Sequence, residues 1–285
     1  MNRKQWLIFA ASFLIAATAM GCGGGGTSTS TANSAGSKAN AEQLLTKMTE
    51  KLKSTPAFSF KTAEITDRPK RGGGVEKLNI ARNVTVKSPD RLYFKATGDR
   101  DLEAFYDGKS MILMSHKDKV WGQLTAPPTL AETVDKIEGH YGMPLPVADL
   151  LGLDPTGKLR NAANVGSVEK KETVGGVECD VLKFQNADVD WEVWIPVTGD
   201  PLPKKFHAKY KTAKGQPEST IEFSDWNLAP EVTDATFLAN IPNEYEGIPI
   251  VQRASAVIPK LEAEEKKNAA NSNGNTTAPA EAGKK

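Results

Sequence analysis

The chain has only two cysteines, Cys22 and Cys179, so it cannot be a small scaffold held by a network of disulfides. Its three histidines, His116, His140 and His207, each stand apart from one another and from any cysteine pair, which leaves no zinc spacing and no expected metal site. Neither sign of charge dominates: 36 basic residues face 35 acidic ones, a net charge of +1. A nearly neutral chain lacks the basic face that nucleic acid requires, so no nucleic-acid partner is expected. Two glycine runs, Gly23 to Gly26 and Gly72 to Gly74, lack the Lys-Ser/Thr that completes a phosphate loop, and they read as linker and turn. No nucleophile–base set stands out. The sequence therefore predicts no catalytic residues, no cofactor and no enzyme.

Beyond the first twenty residues no apolar run reaches the ~20 residues that span a bilayer. The N-terminus itself reads as a leader. Arg3 and Lys4 precede an uncharged apolar stretch from Trp6 to Met20, and Ala19-Met20-Gly21-Cys22 follows. That tetrapeptide resembles the bacterial lipoprotein cleavage box, which implies a signal peptide over residues 1–21 and an acylated Cys22. An ordinary leader cut after Ala17-Thr18-Ala19 is the alternative. The Gly/Ser/Thr-rich residues 22–39 are expected to be a flexible tether, since they carry too little apolar surface to fold. The expected membrane partner is reached through this lipid alone. Gly23 after the cysteine, where an Asp would resemble an inner-membrane retention signal, points to the periplasmic face of an outer membrane. Residues 251–285 lack aromatics and read as a disordered polar tail.

Residues 40–250, roughly 210 in all, remain for one domain. Asn40 with Gln43 starts a helix whose Leu44, Leu45, Met48 and Leu52 form one stripe, ended by Pro56. From Phe58 the period falls to two. Strands are predicted around Phe58 and Phe60, Leu78 to Val86, Leu92 to Ala96, Ala104 to Tyr106, Met111 to Met114 and Lys119 to Leu124, with a hairpin at Asp107-Gly108. Pro127-Pro128 breaks the pattern, and Thr129 with Glu132 opens a helix carrying Leu130, Val134 and Ile137. A bend at Met143 to Pro146 and a helical piece at Val147 to Leu151 follow. Strands then resume around the Gly175-Gly176 turn, at Cys179 to Phe184, Val189 to Ile195, Lys204 to Lys211 and Thr220 to Trp226. The order is helix, meander, helical insert, second meander.

A set of short runs carries a resemblance: Ser88-Pro89-Asp90-Arg91-Leu92, Phe105-Tyr106-Asp107-Gly108-Lys109, Leu145 to Leu151, Val174 to Cys179, Asp188 to Ile195, Pro201 to Lys205 and Ser224 to Leu228. Together they resemble a family of predicted periplasmic bacterial proteins whose fold is similar to the outer-membrane lipoprotein carriers and receptors, LolA- and LolB-like. The resemblance implies a mainly β domain with some α: a curved antiparallel sheet, an incomplete barrel, with helices plugging its concave face.

Alternation along the later strands puts Trp191, Val193 and Ile195 on one face, as it does Phe206 and Tyr210, and Ile221 and Phe223. These seven are the candidate cavity lining, and Leu130, Val134 and Ile137 the candidate lid. The tryptophans Trp191, Trp194 and Trp226 fit core packing better than ligand stacking. The expected function is a tethered, non-enzymatic binder or carrier of a lipid or acyl chain. The alternative is a structural or sensing envelope protein with a filled core that binds an unidentified protein partner. His116 and His207 are expected on the solvated surface, Cys179 as a small buried hydrophobe, and Asp188 with Asp190 as a solvated strand entry.

Overall fold

Among the described residues, alternating apolar and polar residues separated by tight turns build twelve strands into one sheet. The computed structural model describes residues 30–70, 74–137, 165–213 and 215–251. The expected leader, Cys22, the start of the tether, His140, the bend with its helical piece at Val147 to Leu151, and the tail from 252 onward lie outside the described residues.

Helix α1 (Ser30–Ser54) leads into β1 (Ala57–Pro69), β2 (Val75–Lys87), β3 (Arg91–Gly98), β4 (Leu102–Tyr106), β5 (Ser110–Ser115) and β6 (Val120–Thr125). After α2 (Leu130–Lys136) come β7 (Val165–Val174), β8 (Val177–Gln185), β9 (Val189–Pro196), β10 (Lys205–Tyr210) and β11 (Glu218–Asn227). A 3-10 turn (Asp234–Phe237) and the two-residue β12 (Glu246–Gly247) complete it. The strand order is β12-β6-β5-β4-β3-β2-β1-β11-β10-β9-β8-β7, so the sheet does not close on itself. Every pairing is antiparallel except β12 on β6. The mainly β, incomplete-barrel architecture read from the sequence is the one observed.

Local chemistry explains the turns. Asp107 Oδ1 accepts the backbone N–H groups of Lys109 (2.9 Å) and Ser110 (2.8 Å), and Gly108 takes a φ of +85° that a side chain would resist. Gly175 and Gly176, both at positive φ, form the two-residue turn between β7 and β8.

Two expectations need correction. Helix α1 begins at Ser30, ten residues before Asn40, so the second part of the expected flexible tether is helical. Its core end packs through Ala41, Leu45, Met48 and Leu52. Once that end is held, extending a helix upstream through Ala-rich, Pro-free sequence costs little per residue. At the other end Ser54 and Thr55 hydroxyls donate to the Lys51 carbonyl and Pro56 stops the helix. The second correction concerns His116, which is half-buried and lies against Glu103 and Tyr245 as described below.

Candidate functional site: the inner face of the sheet

Registers across the strands sort the side chains into two faces. One face carries the main core, and residues of α1 and α2 belong to the same apolar cluster. Six of the seven candidate lining residues come together on it: Trp191, Val193, Ile195, Phe206, Ile221 and Phe223 are all buried, and Tyr210 is half-buried beside them. Phe206 sits opposite both Val193 and Ile221, and Trp191 opposite Ala208. Trp191 is 1% exposed and lies flat on Phe184, with ring centroids 4.2 Å apart at an interplanar angle of 15°. Among the described residues its indole Nε1–H has no hydrogen-bond partner.

The candidate lid residues Leu130, Val134 and Ile137 are buried as well. Thr129 caps α2 as expected: its Oγ1 accepts from the Glu132 N–H and donates to Glu132 Oε2 at 2.8 Å. The helix is tied to the sheet rim, because the Leu130 N–H donates to the Pro89 carbonyl (2.9 Å) and Lys136 Nζ to that of Thr125. Tyr106 Oη donates to the Pro127 carbonyl at 2.6 Å.

At one end the inner face is aromatic. Phe58, Phe60, Phe223 and Trp226 form a continuous set, with Phe60 and Trp226 rings 4.6 Å apart. Strict alternation would put Trp226 on the face opposite Phe223. The left-handed backbone at Asp225 (φ +53°) breaks the alternation and returns the indole to the core, where Nε1 donates to the Pro203 carbonyl. Toward the other end a polar strip interrupts the same face, chiefly on β1 and β2, while Ile221, Phe206 and Val193 continue the Glu64 row. Thr62, Glu64 and Ser219 are buried there, and Glu64 forms an ion pair with Arg82 across β1 and β2. Thr62 Oγ1 donates to Glu64 Oε1 (3.3 Å). Burial, and then repulsion from Arg100, bring the Arg82 pKa down to about 10, still far enough above neutrality that the group is a cation. Sequence reasoning missed this pair, although Thr62 and Glu64 share the parity of Phe58 and Phe60.

The outer face is differently built. Trp194 anchors a small cluster with Cys179 and Val181, donates Nε1–H to Glu172 (2.7 Å) and lies 4.8 Å from the Lys205 ammonium. Cys179 is buried, which pushes its thiol pKa up. His207 stands between Glu192 and Glu218, and Asp190 pairs with Lys211. A groove of about 490 Å³ runs past the outer-face residues Ala63, Ile65, Asn79, Ala81, Thr97 and Thr220, and Glu64 and Ile80 border it as well. None of the seven candidate lining residues borders it.

Glu103 is the hub of the remaining cluster. It takes the Tyr93 hydroxyl (3.1 Å), the Lys95 ammonium (3.1 Å) and His116 Nε2, which is 3.2 Å away but off the line of a hydrogen bond. His116 Nδ1 contacts Tyr245 Oη at 2.7 Å. The result is a clamp on the C-terminal segment. Ile248 N–H donates to the Trp121 carbonyl, and Ile250 lies where a Cβ on Gly122 would be, 2.6 Å from its Cγ1. Burial first, then the Glu103 charge and hydrogen bond, raise the Tyr93 pKa from 10.0 to about 12. The folded state thus holds a proton that the unfolded state loses above pH 10. The stability tied to this phenol should be complete below pH 10 and drain away as pH rises to about 12. Urea melts at stepwise alkaline pH, compared with Tyr93→Phe, check this. A wild-type slope no steeper than that of the variant between pH 10 and 12 would contradict it.

Residues 41–251 match the model of a family described as predicted periplasmic protein, DUF2092. No curated protein matches the chain. Among solved structures, a LolA superfamily protein from Nitrosomonas europaea is similar at 14% identity and a TM-score of 0.38, over 70% of this chain and 97% of that one. LprF from Mycobacterium bovis is similar at 13% identity and a TM-score of 0.40, over 73% and 98%. A Pseudomonas aeruginosa MucA/MucB complex is similar at 14% identity and a TM-score of 0.40, over 73% of this chain and 63% of the matched one.

Proposed function

The chain belongs to the DUF2092 family of predicted periplasmic proteins, and from that premise we propose that it is a lipid-anchored envelope protein binding an acyl chain or similar apolar ligand, without catalysis. The observation that carries this reading is the inner face itself. An unclosed sheet presents aromatic and aliphatic side chains along one side, from Trp191 through Phe206 and Ile221 to Phe60. Such a wall attracts acyl chains wherever its cover moves aside. The cover that moves is α2. Seven residues are too few to hold a helix by themselves, so α2 keeps its form through the rim contacts and its buried Leu130, Val134 and Ile137. A ligand replaces that stripe. Cys22 carries the anchor, and the protein faces the periplasm from the outer membrane.

The test has two parts. Native mass spectrometry of the exported protein should show copurified lipid, and a fluorescent acyl probe should bind and be displaced by it. Palmitate supplied to cells should label the wild type and not Cys22→Ala. A protein that purifies empty and ignores the probe ends the carrier reading.

A second reading, docking of a protein partner on the outer face, has its own observation. The groove there is floored by small residues and borders Ile65, a large apolar side chain left 51% exposed. Ile65→Asp abolishing capture of a partner, with acyl binding absent in the wild type, decides for it.

A further inference from the structure

The inner face has a direction. Its Phe58 end is lined by Val86, Leu92 and Met111 in register, without a charge. Two residues along β1 from Phe60 the lining becomes Thr62 opposite Arg82, and two further it becomes Glu64 opposite Ile80. On β1 and β2 a hydrocarbon ligand would have no use for this second end, although the same row continues through Ile221, Phe206 and Val193. Burying an ion pair in an otherwise apolar wall costs desolvation that packed aliphatic residues of equal volume would avoid. Arg82 carries several N–H donors, and Arg100 lies near enough to depress its pKa. Arg100 shares its turn with Asp99 and Asp101, but the Asp99 carboxylate is engaged by the Asn79 N–H at 2.7 Å. The Arg82 guanidinium therefore faces the buried Glu64 carboxylate. A separate observation marks the same end. Among the described residues the buried Nε1–H of Trp191 is unpartnered, and Trp191, three strands across the sheet from β1, lies in the row of Ala208, Ser219 and Thr66 just beyond Glu64. A buried donor without an acceptor costs about 1–3 kcal/mol unless something supplies an oxygen.

We propose that the ligand is a single-headed acidic amphiphile whose carboxylate or phosphate oxygens are held by Arg82, with its chain running over Phe60 toward Phe58. This rests on the apolar-ligand reading above and adds the chemistry and orientation of the bound molecule. In the empty protein Glu64 occupies the guanidinium. The acidic head takes its place.

The probes are oleate, methyl oleate and dodecyl phosphate, measured against the exported protein in a Cys22→Ala background that removes the acyl anchor from every arm. Oleate should bind about tenfold tighter than methyl oleate, as expected for one added charged hydrogen bond. Glu64→Gln removes the competing carboxylate and should strengthen oleate binding while leaving methyl oleate alone. The paired variant Glu64→Met with Arg82→Met keeps an uncharged wall, and it should bind both probes alike. Dodecyl phosphate exceeding oleate in head-group gain assigns the site to phosphate, and the reverse to carboxylate. Equal binding of oleate and its ester by the wild type, or a preference that survives in the paired variant, overturns the inference and leaves the carrier reading intact. Failure to bind any of the three overturns both.

Discussion

Trp191→Ala should destabilise the domain by about 3–5 kcal/mol, the range for truncating a large aromatic in a closed core, and lower the melting temperature by roughly 10 °C. The residue is 1% exposed and stacked on Phe184, and Phe206 approaches from the neighbouring strand. Collapse into the space is resisted because β8, β9 and β10 are held in a continuous ladder. Trp191→Phe tests the other half of the argument. It keeps a ring against Phe184 but deletes the buried Nε1–H, which has no acceptor among the described residues. The lost volume costs, the lost desolvation penalty is returned, and the two should nearly cancel to within about 1 kcal/mol. Denaturant melts of the three proteins, with constant m-values, make the comparison. A phenylalanine variant as unstable as the alanine one would show that the indole N–H is satisfied in solution.

Much of this face was legible because a strand reports its two faces by parity alone. Trp191, Val193 and Ile195 fall together whatever the register, and so do Phe206 with Ala208 and Ile221 with Phe223. The Thr129–Glu132 cap is legible for a similar reason, since both partners lie within one turn. What escaped depends on chain segments meeting from afar or on a local break in the period. His116 looked solvated because its partner Tyr245 is 129 residues away, on a segment with no strand signal of its own. Trp226 reaches the aromatic end of the core only through the left-handed residue at Asp225, which carries no clear sequence mark. The start of α1 was misplaced because composition alone cannot tell a Ser/Ala-rich coil from the first turns of a longer helix.

The Glu64–Arg82 pair lies between these cases. Glu64 has the parity of the core residues Phe58 and Phe60, and Arg82 that of Val84 and Val86, so each alone looks like an error in an apolar pattern. Only the β1–β2 register, in which Thr62 faces Arg82 and Glu64 faces Ile80, turns two misplaced charges into one neutral unit.

The strength of that unit can be measured without any ligand. Arg82→Met leaves the Glu64 carboxylate buried with only the Thr62 hydroxyl, and should cost about 3–5 kcal/mol, the usual result of stranding one member of a buried pair. Glu64→Met strands Arg82 instead. Its side chain is 28% exposed and can reach water, so the loss should be smaller. Changing both residues to Met should restore stability to within about 1 kcal/mol of wild type or exceed it, because the desolvation of both charges is then avoided. Denaturant melts of the four proteins form a cycle whose coupling should be large, with the cost of the double variant well below the sum of the single ones. If the two losses simply add, the charges do not depend on one another, and Arg82 is held in place by something other than Glu64.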